Sequence, residues 1–272
     1  MSLILASASP ARLHLLKNAN YAPDLVFPTD MNEDPIKALF PSYSALDVTR
    51  QLSYAKGIFA LHRLQSALVK AAQDPNAAVQ TTLSDSFLQD AKDPSSQHHL
   101  ISADTMILFQ ERVLGKPGSA QAACEMLQSL LGHEHQVISV AWLFSWVGDL
   151  TNLNLDAFLA SLNEAPASLN EAPAQLIKHK PQHTHFSIAQ IKAQSFDATT
   201  RIRFRKESPE VLDFIQAYVE TGSPLNKAGA YGIQEAGLSL VEGIQGDLAG
   251  VIGLPLAGLL DALDLAKRNE AD

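Results

Sequence analysis

Apolar and polar letters fall in blocks along this chain, and the blocks predict strands followed by helices. Leu3-Ile4-Leu5-Ala6 reads as a buried strand that breaks into "SASPARLHLL", residues 7–16. Ser9 followed by Pro10 is an N-cap with proline at the first helical position, so a helix opens there. A second apolar stretch, Asp24 to Phe27, leads into the acidic "TDMNEDP", 29–35. Helical spacing over 44–70 predicts a long helix that carries Lys56. "LISADTMILF", 100–109, is a buried strand interrupted by one carboxylate, Asp104. "GKP", 115–117, leads to a helix over 119–131 with Ala122, Ala123, Met126, Leu127, Leu130 and Leu131 as its apolar stripe and Gly132 as its stop. "HQVISVAWLFSW", 135–146, is the next strand, and "TTRIRFRKE", 199–207, alternates as a half-exposed strand with Ile202 and Phe204 inward. Ser208-Pro209 repeats the cap-and-proline start of a helix that runs to Gly222, "NKAGAYGIQEAG", 226–237, is a glycine-rich loop, and a strand around 248–252 precedes a helix over 256–267. Strands alternating with helices make the class α/β.

Two stretches stand outside this alternation. Residues 71–98 are polar and weakly periodic, and "SLNEAPA" occurs twice in tandem at 161–174. The chain is therefore expected to be one domain, 1–272, with surface insertions at 71–98 and 150–197, the second of low complexity.

Composition narrows the picture a little further. Of 272 residues 46% are hydrophobic and 18% charged, a globular balance that argues against wholesale disorder. The single cysteine, Cys124, excludes an internal disulfide and a multi-cysteine zinc site, and fits a reducing cytoplasm. No signal-peptide pattern or membrane-length apolar run is found, so a cytoplasmic protein without a membrane partner is expected. The formal charge of −9 argues against a nonspecific nucleic-acid partner, which needs a basic footprint. A small anion is still compatible, because a few local cations and a divalent metal can hold it.

The residues that could carry chemistry each have a plainer reading. Ser7, Ser9 and Arg12 lie at a strand-to-helix corner where free N–H groups suit an anion, or they simply cap a first helix. Asp104 is costly inside an apolar strand unless it is paired, metal-bound or at the strand's end. Lys116 is pinned between Gly115 and Pro117, whereas spacing alone makes Lys56 solvated surface. Arg201, Arg203 and Arg205 read as edge protection. His179, His183 and His185 form a loose cluster in the low-complexity stretch without a rigid element, His133 and His135 are expected on the surface, and Cys124 falls on the core side of its helix.

Five stretches in this order, "LILASASPARLHLL", "MNEDP", "SADTMILFQERVLGKP", "GHEHQVISV" and "NKAGAYGIQ…GLPL", resemble the Maf family of nucleoside triphosphate pyrophosphatases. The resemblance implies a mixed sheet with flanking helices and a deep central cleft, as in Maf and ITPase-like folds. It implies hydrolysis of a nucleoside triphosphate to the monophosphate and pyrophosphate with a divalent cation, Mg²⁺ or Mn²⁺. It assigns Asp104 as proton acceptor or metal ligand and Glu33 as metal or water ligand, and it places Ser7, Ser9, Arg12, Lys56 and Lys116 on the phosphates. Substrate discrimination is implied at the positions of Ala11, Thr105 and Gln234. The wording "AGAYGIQ", 228–234, resembles the branch that acts on dTTP and UTP, in which Gln234 can read a pyrimidine amide edge and Tyr231 packs. Two departures stand out: Asn32 replaces a frequent second acid before Glu33, and Ala11 replaces the first of two usual arginines. The loss at position 11 leaves open a purine or modified nucleotide as substrate. A noncatalytic regulator of septum formation is the alternative from outside enzymology, and a homodimer is admitted as a partner state.

Overall fold

A computed structural model of the chain describes residues 1–38, 42–73, 83–153, 155, 185–188 and 190–271. The first apolar block forms β1 (Ser2–Leu5), buried at every position, and turns through Ser9 and Pro10 into α1 (Pro10–Asn18). The chain returns as β2 (Leu25–Val26), parallel to β1, as a strand–helix–strand crossover requires. Two helices follow, α2 (Asp34–Lys37) and the long α3 (Ala45–Gln73), and then α4 (Asp85–Asp90). The apolar run carrying Asp104 is β3 (Gln97–Phe109), parallel to β1 on its other side with Leu3 opposite His99 and Leu5 opposite Ile101.

A tight hairpin joins β3 to β4 (Arg112–Leu114), and its two turn residues, Gln110 and Glu111, both take the left-handed conformation that such a turn demands. Next come α5 (Ala120–Leu130), capped by Ser119, and β5 (Glu134–Val147). The remaining strands are β6 (His185–Ile188), β7 (Ile191–Phe204) and β8 (Val241–Gln245), and the remaining helices are α6 (Pro209–Glu220), α7 (Leu248–Ile252) and α8 (Leu256–Ala271). The eight strands make one mixed sheet in the order β2-β1-β3-β5-β7-β6, with β4 paired to β3 and β8 paired to β7. A mixed α/β sheet with flanking helices is therefore present.

The chain divides into two compact units. The first comprises Met1–Asp104, Val140–Phe196 and Leu256–Asp272; the second comprises Thr105–Ser139 and Asp197–Pro255. The first is built around Ile4, Leu5, Leu52, Leu61, Leu100, Trp142 and Phe144, all fully buried. The second packs Leu127, Leu130, Ile202, Phe204, Ile215 and Leu240 into its own core. Among the described residues no helix is long and apolar enough to cross a membrane.

The structure adds detail at three segments, and at the last of them corrects the sequence reading. The segment 71–98 is not all surface: Ser84 caps α4, and Leu83, Phe87 and Ala91 are buried, so short amphipathic spacing was hidden under a polar composition. Residues 74–82 lie outside the described part. Within 150–197, Leu150, Leu153 and Leu155 are buried, residues 185–188 form β6, and β7 begins at Ile191. The tandem "SLNEAPA", together with His179 and His183, lies outside the described residues. Residues 248–252 form α7 and not a strand, because the Asp247 carboxylate accepts from the Ala249 N–H as an N-cap. A five-residue apolar run carries no period of its own, so the cap decided it.

Candidate functional site

The corner after β1 is fixed by local chemistry. Ser9 accepts the Arg12 N–H at 3.4 Å, and Ser7, buried, accepts both the Ser9 N–H at 3.2 Å and the Arg12 Nη1 at 3.1 Å. This folds the guanidinium back over the first turn of α1. A cation there opposes the positive end of the helix dipole, so it needs carboxylates nearby. Burial weakens the Arg12 cation, and the charges of Asp104 and Glu33 act against that weakening.

Asp104 lies in the interior of β3, not at its end, and its residue is only 8% exposed. Its Oδ1 is 2.5 Å from the Lys56 ammonium on α3. The same ammonium is 2.7 Å from Glu33 Oε1, and Glu33 Oε2 is 2.6 Å from Lys37. Lys56, which spacing alone makes solvated surface, is thus a half-buried clamp between two carboxylates. Burial would pull the Lys56 ammonium down, but Asp104 and Glu33 outweigh it and hold its pKa above the ordinary lysine value. Burial would likewise raise Glu33, yet Lys56 and Lys37 hold its carboxyl down at about 2. Glu33 reaches this position from the start of α2, where Asn32 Oδ1 accepts the Asp34 N–H. Asn32 therefore serves the turn. Asp30 and Asp34 are exposed.

The first unit thus brings together Ser7, Ser9, Arg12, Glu33, Lys56 and Asp104. Ala11 is half-buried in the first turn of α1. The other three residues singled out lie in the second unit. Thr105 follows Asp104 in β3 and so faces the opposite side of the strand. Ser139 donates to the Gly250 carbonyl at 2.6 Å, which leaves Thr105 as donor to Ser139 at 2.8 Å. Lys116 and Gln234 are exposed. The turn holding Lys116 is tied to the glycine-rich stretch, because the Gly115 carbonyl accepts the Gly229 N–H at 3.1 Å. Gly229 has φ +67°, and a Cβ there would sit 2.6 Å from Ile107 Cδ1, so a larger residue would be strained and would have to displace Ile107.

Tyr231 packs as its apolar surroundings predict, edge-on to Phe204 with ring centres 4.9 Å apart. His135, expected on the surface, is buried beneath it and shares a 2.7 Å hydrogen bond between Nε2 and the Tyr231 hydroxyl. Alternation along β5 turns His135 inward while Glu134 stays exposed. Arg201 and Arg203 reach Glu134 at 3.8 and 3.6 Å across an exposed surface, and Arg205 donates to the Ser239 carbonyl. Sequence reasoning passed over Lys37; its place four residues after Glu33 was the available signal.

Two carboxylates meeting on one ammonium are a hard-oxygen donor pair. Mg²⁺ and Mn²⁺ accept such a pair and complete their shells with phosphate oxygens and water, so Glu33 and Asp104 fit a divalent cation of that class. Among the described residues no group of three or more His, Cys, Asp or Glu side chains could hold a metal without substrate oxygens.

A family model described as Maf-like protein matches residues 2–157 and 153–266 of this chain. A dTTP/UTP pyrophosphatase of Moorella thermoacetica is 32% identical to it, covering 96% of this chain and 93% of its own. One from Bdellovibrio bacteriovorus is 29% identical over 94% of this chain and 93% of its own, and one from Halalkalibacterium halodurans is 32% identical over 64% and 69%.

Proposed function

This chain belongs to the Maf-like family of nucleotide pyrophosphatases, and from that premise we propose that it hydrolyses dTTP and UTP to the monophosphate and pyrophosphate. The observation that supports this most is the Lys56 ammonium held between Asp104 and Glu33 beside the Ser7–Arg12 corner.

Water attacks the α-phosphorus; the new P–O bond forms as the bond to the bridging oxygen breaks, and that electron pair leaves with pyrophosphate. Asp104 either accepts the water's proton or shares with Glu33 the holding of the divalent cation. When bound, that cation neutralises phosphate charge and lowers the pKa of water. Lys56 and Arg12 stabilise charge that grows on the bridging and equatorial oxygens, and Ser7 and Ser9 hold the corner that orients them. Lys116 adds a further cation to the phosphates. Thr105 and Gln234 discriminate the base, and the smaller Ala11 leaves room where a guanidinium is usual. The enzyme works in the cytoplasm on surplus or noncanonical nucleotides.

Pyrophosphate release from dTTP, UTP, CTP, GTP and 7-methyl-GTP, each with Mg²⁺ and with Mn²⁺, tests this reading. Faster release from dTTP and UTP is expected. A purine preference would move the substrate assignment to Ala11, and no release from any of the five would end the enzymatic reading.

A further inference from the structure

Lys56 meets Asp104 only if α3 lies on β3 in one register, and a buried pair of hydrogen bonds beside the ion pair helps to hold that register. The Ser53 hydroxyl donates to the Ser102 carbonyl at 3.2 Å, and the Ser102 hydroxyl donates back to the Ser53 carbonyl at 2.7 Å. Both serines are fully buried. Ser53 precedes Lys56 by three residues, on the same face of the helix; Ser102 precedes Asp104 by two, on the same face of the strand. The clasp and the ion pair therefore lie side by side, separated by about 4.5 Å along the helix and about 6.6 Å along the strand.

Gly57 completes the contact. A Cβ at Gly57 would run into the Phe144 ring and lie 2.8 Å from Ser102 Oγ, so any larger residue would push α3 off the sheet where the Ser102 hydroxyl reaches it. The Ser53 carbonyl is also the acceptor for the Gly57 amide in the helical pattern, and it spends its second lone pair on Ser102.

We infer that Ser53, Ser102 and Gly57 are positioning residues for the reaction: their clasp sets where the Lys56 ammonium stands against Asp104. The inference rests on the pyrophosphatase reading for its consequence in turnover, and on geometry alone for its consequence at Lys56.

The test uses the full chain with Ser53→Ala, Ser102→Ala, Lys56→Ala and the Ser102→Ala/Lys56→Ala pair. Ser102→Ala lowers kcat about tenfold with KM nearly unchanged, as displacement of a reacting group does. In the Lys56→Ala background the same change costs less than about twofold, because there is no ammonium left to misplace. Acylation of amines by acetic anhydride, followed peptide by peptide, provides a readout independent of turnover. Either serine variant raises Lys56 labelling several-fold, because an ammonium displaced from Asp104 is open to the reagent, while Lys227, paired with Glu235 at 3.0 Å, labels as before. Equal losses of kcat in both backgrounds, or labelling that rises at Lys227 as much as at Lys56, would overturn the inference and leave a merely structural contact. Should Ser102→Ala fail to fold, Ser53→Ala supplies both measurements. A wild-type protein that cleaves no nucleotide, with Lys56 labelling still raised by the serine variants, refutes the enzymatic reading and leaves the clasp standing.

Discussion

Each unit buries a polar cluster, and the two clusters meet the cost of burial in opposite ways. In the first, Asp104, Glu33 and Lys56 are joined as ion pairs, each facing a group of opposite sign within 2.7 Å. In the second, His135 and Tyr231 remain neutral: burial lowers the His135 pKa to about 4 and raises that of Tyr231, and one hydrogen bond joins them. Phe204 stands edge-on to both rings. Charges kept in a partly open site can be traded for the charges of a ligand, which makes the first cluster suited to chemistry. A neutral aromatic cluster has nothing to trade and serves to hold the glycine-rich stretch that carries Tyr231.

The largest effect expected from breaking this contrast is on turnover. Asp104→Asn keeps the shape of the first cluster and removes its charge, and pyrophosphate release should fall about a thousandfold. Wild-type turnover in this variant would sink the proposed mechanism.

Acid should separate the clusters next. His135 titrates near 4 in the folded chain against 6.5 unperturbed, so the unfolded chain binds its proton more readily. Stability from that burial is complete above pH 6.5 and is lost as pH falls towards 4, by about 3 kcal/mol. Glu33 titrates near 2 against 4.5, so its contribution is complete above pH 4.5 and is lost as pH falls towards 2. With 29% of that side chain exposed, screening reduces the loss to about 2 kcal/mol. Urea midpoints measured from pH 7 to 2 should flatten between 6.5 and 4 in His135→Phe, and between 4.5 and 2 in Glu33→Gln. Curves that both variants change in the same window would show that the clusters do not differ as described.

The smallest effect sharpens the neutral side. Tyr231→Phe removes the hydroxyl bonded to His135 Nε2, and should lower the unfolding free energy by about 1 kcal/mol. Its kcat should change far less than that of Asp104→Asn; a comparable loss would place the tyrosine in the chemistry.

What could be read in advance follows from how far each signal reaches along the chain. Ser9 and Ser208 were legible as caps because a cap bond closes over three residues. The packing of Tyr231 was legible, but its partner was not, because a histidine at a strand start has no facing until the strand's pairing is fixed. The short run 248–252 was misread for lack of a period, and buried apolar positions near 83–91 were masked by polar neighbours.

By itself the sequence determined the order and type of most elements, and it set one carboxylate inside an apolar strand, since hydropathy period and capping depend on neighbours a few residues away. Only the tertiary structure decided that the carboxylate's partner is Lys56, 48 residues away, and that Glu33 shares it. Coulomb energy and desolvation depend on distance in space, and the register of a helix on a strand sets that distance through contacts such as Ser53 with Ser102, which leave no periodic trace in the chain.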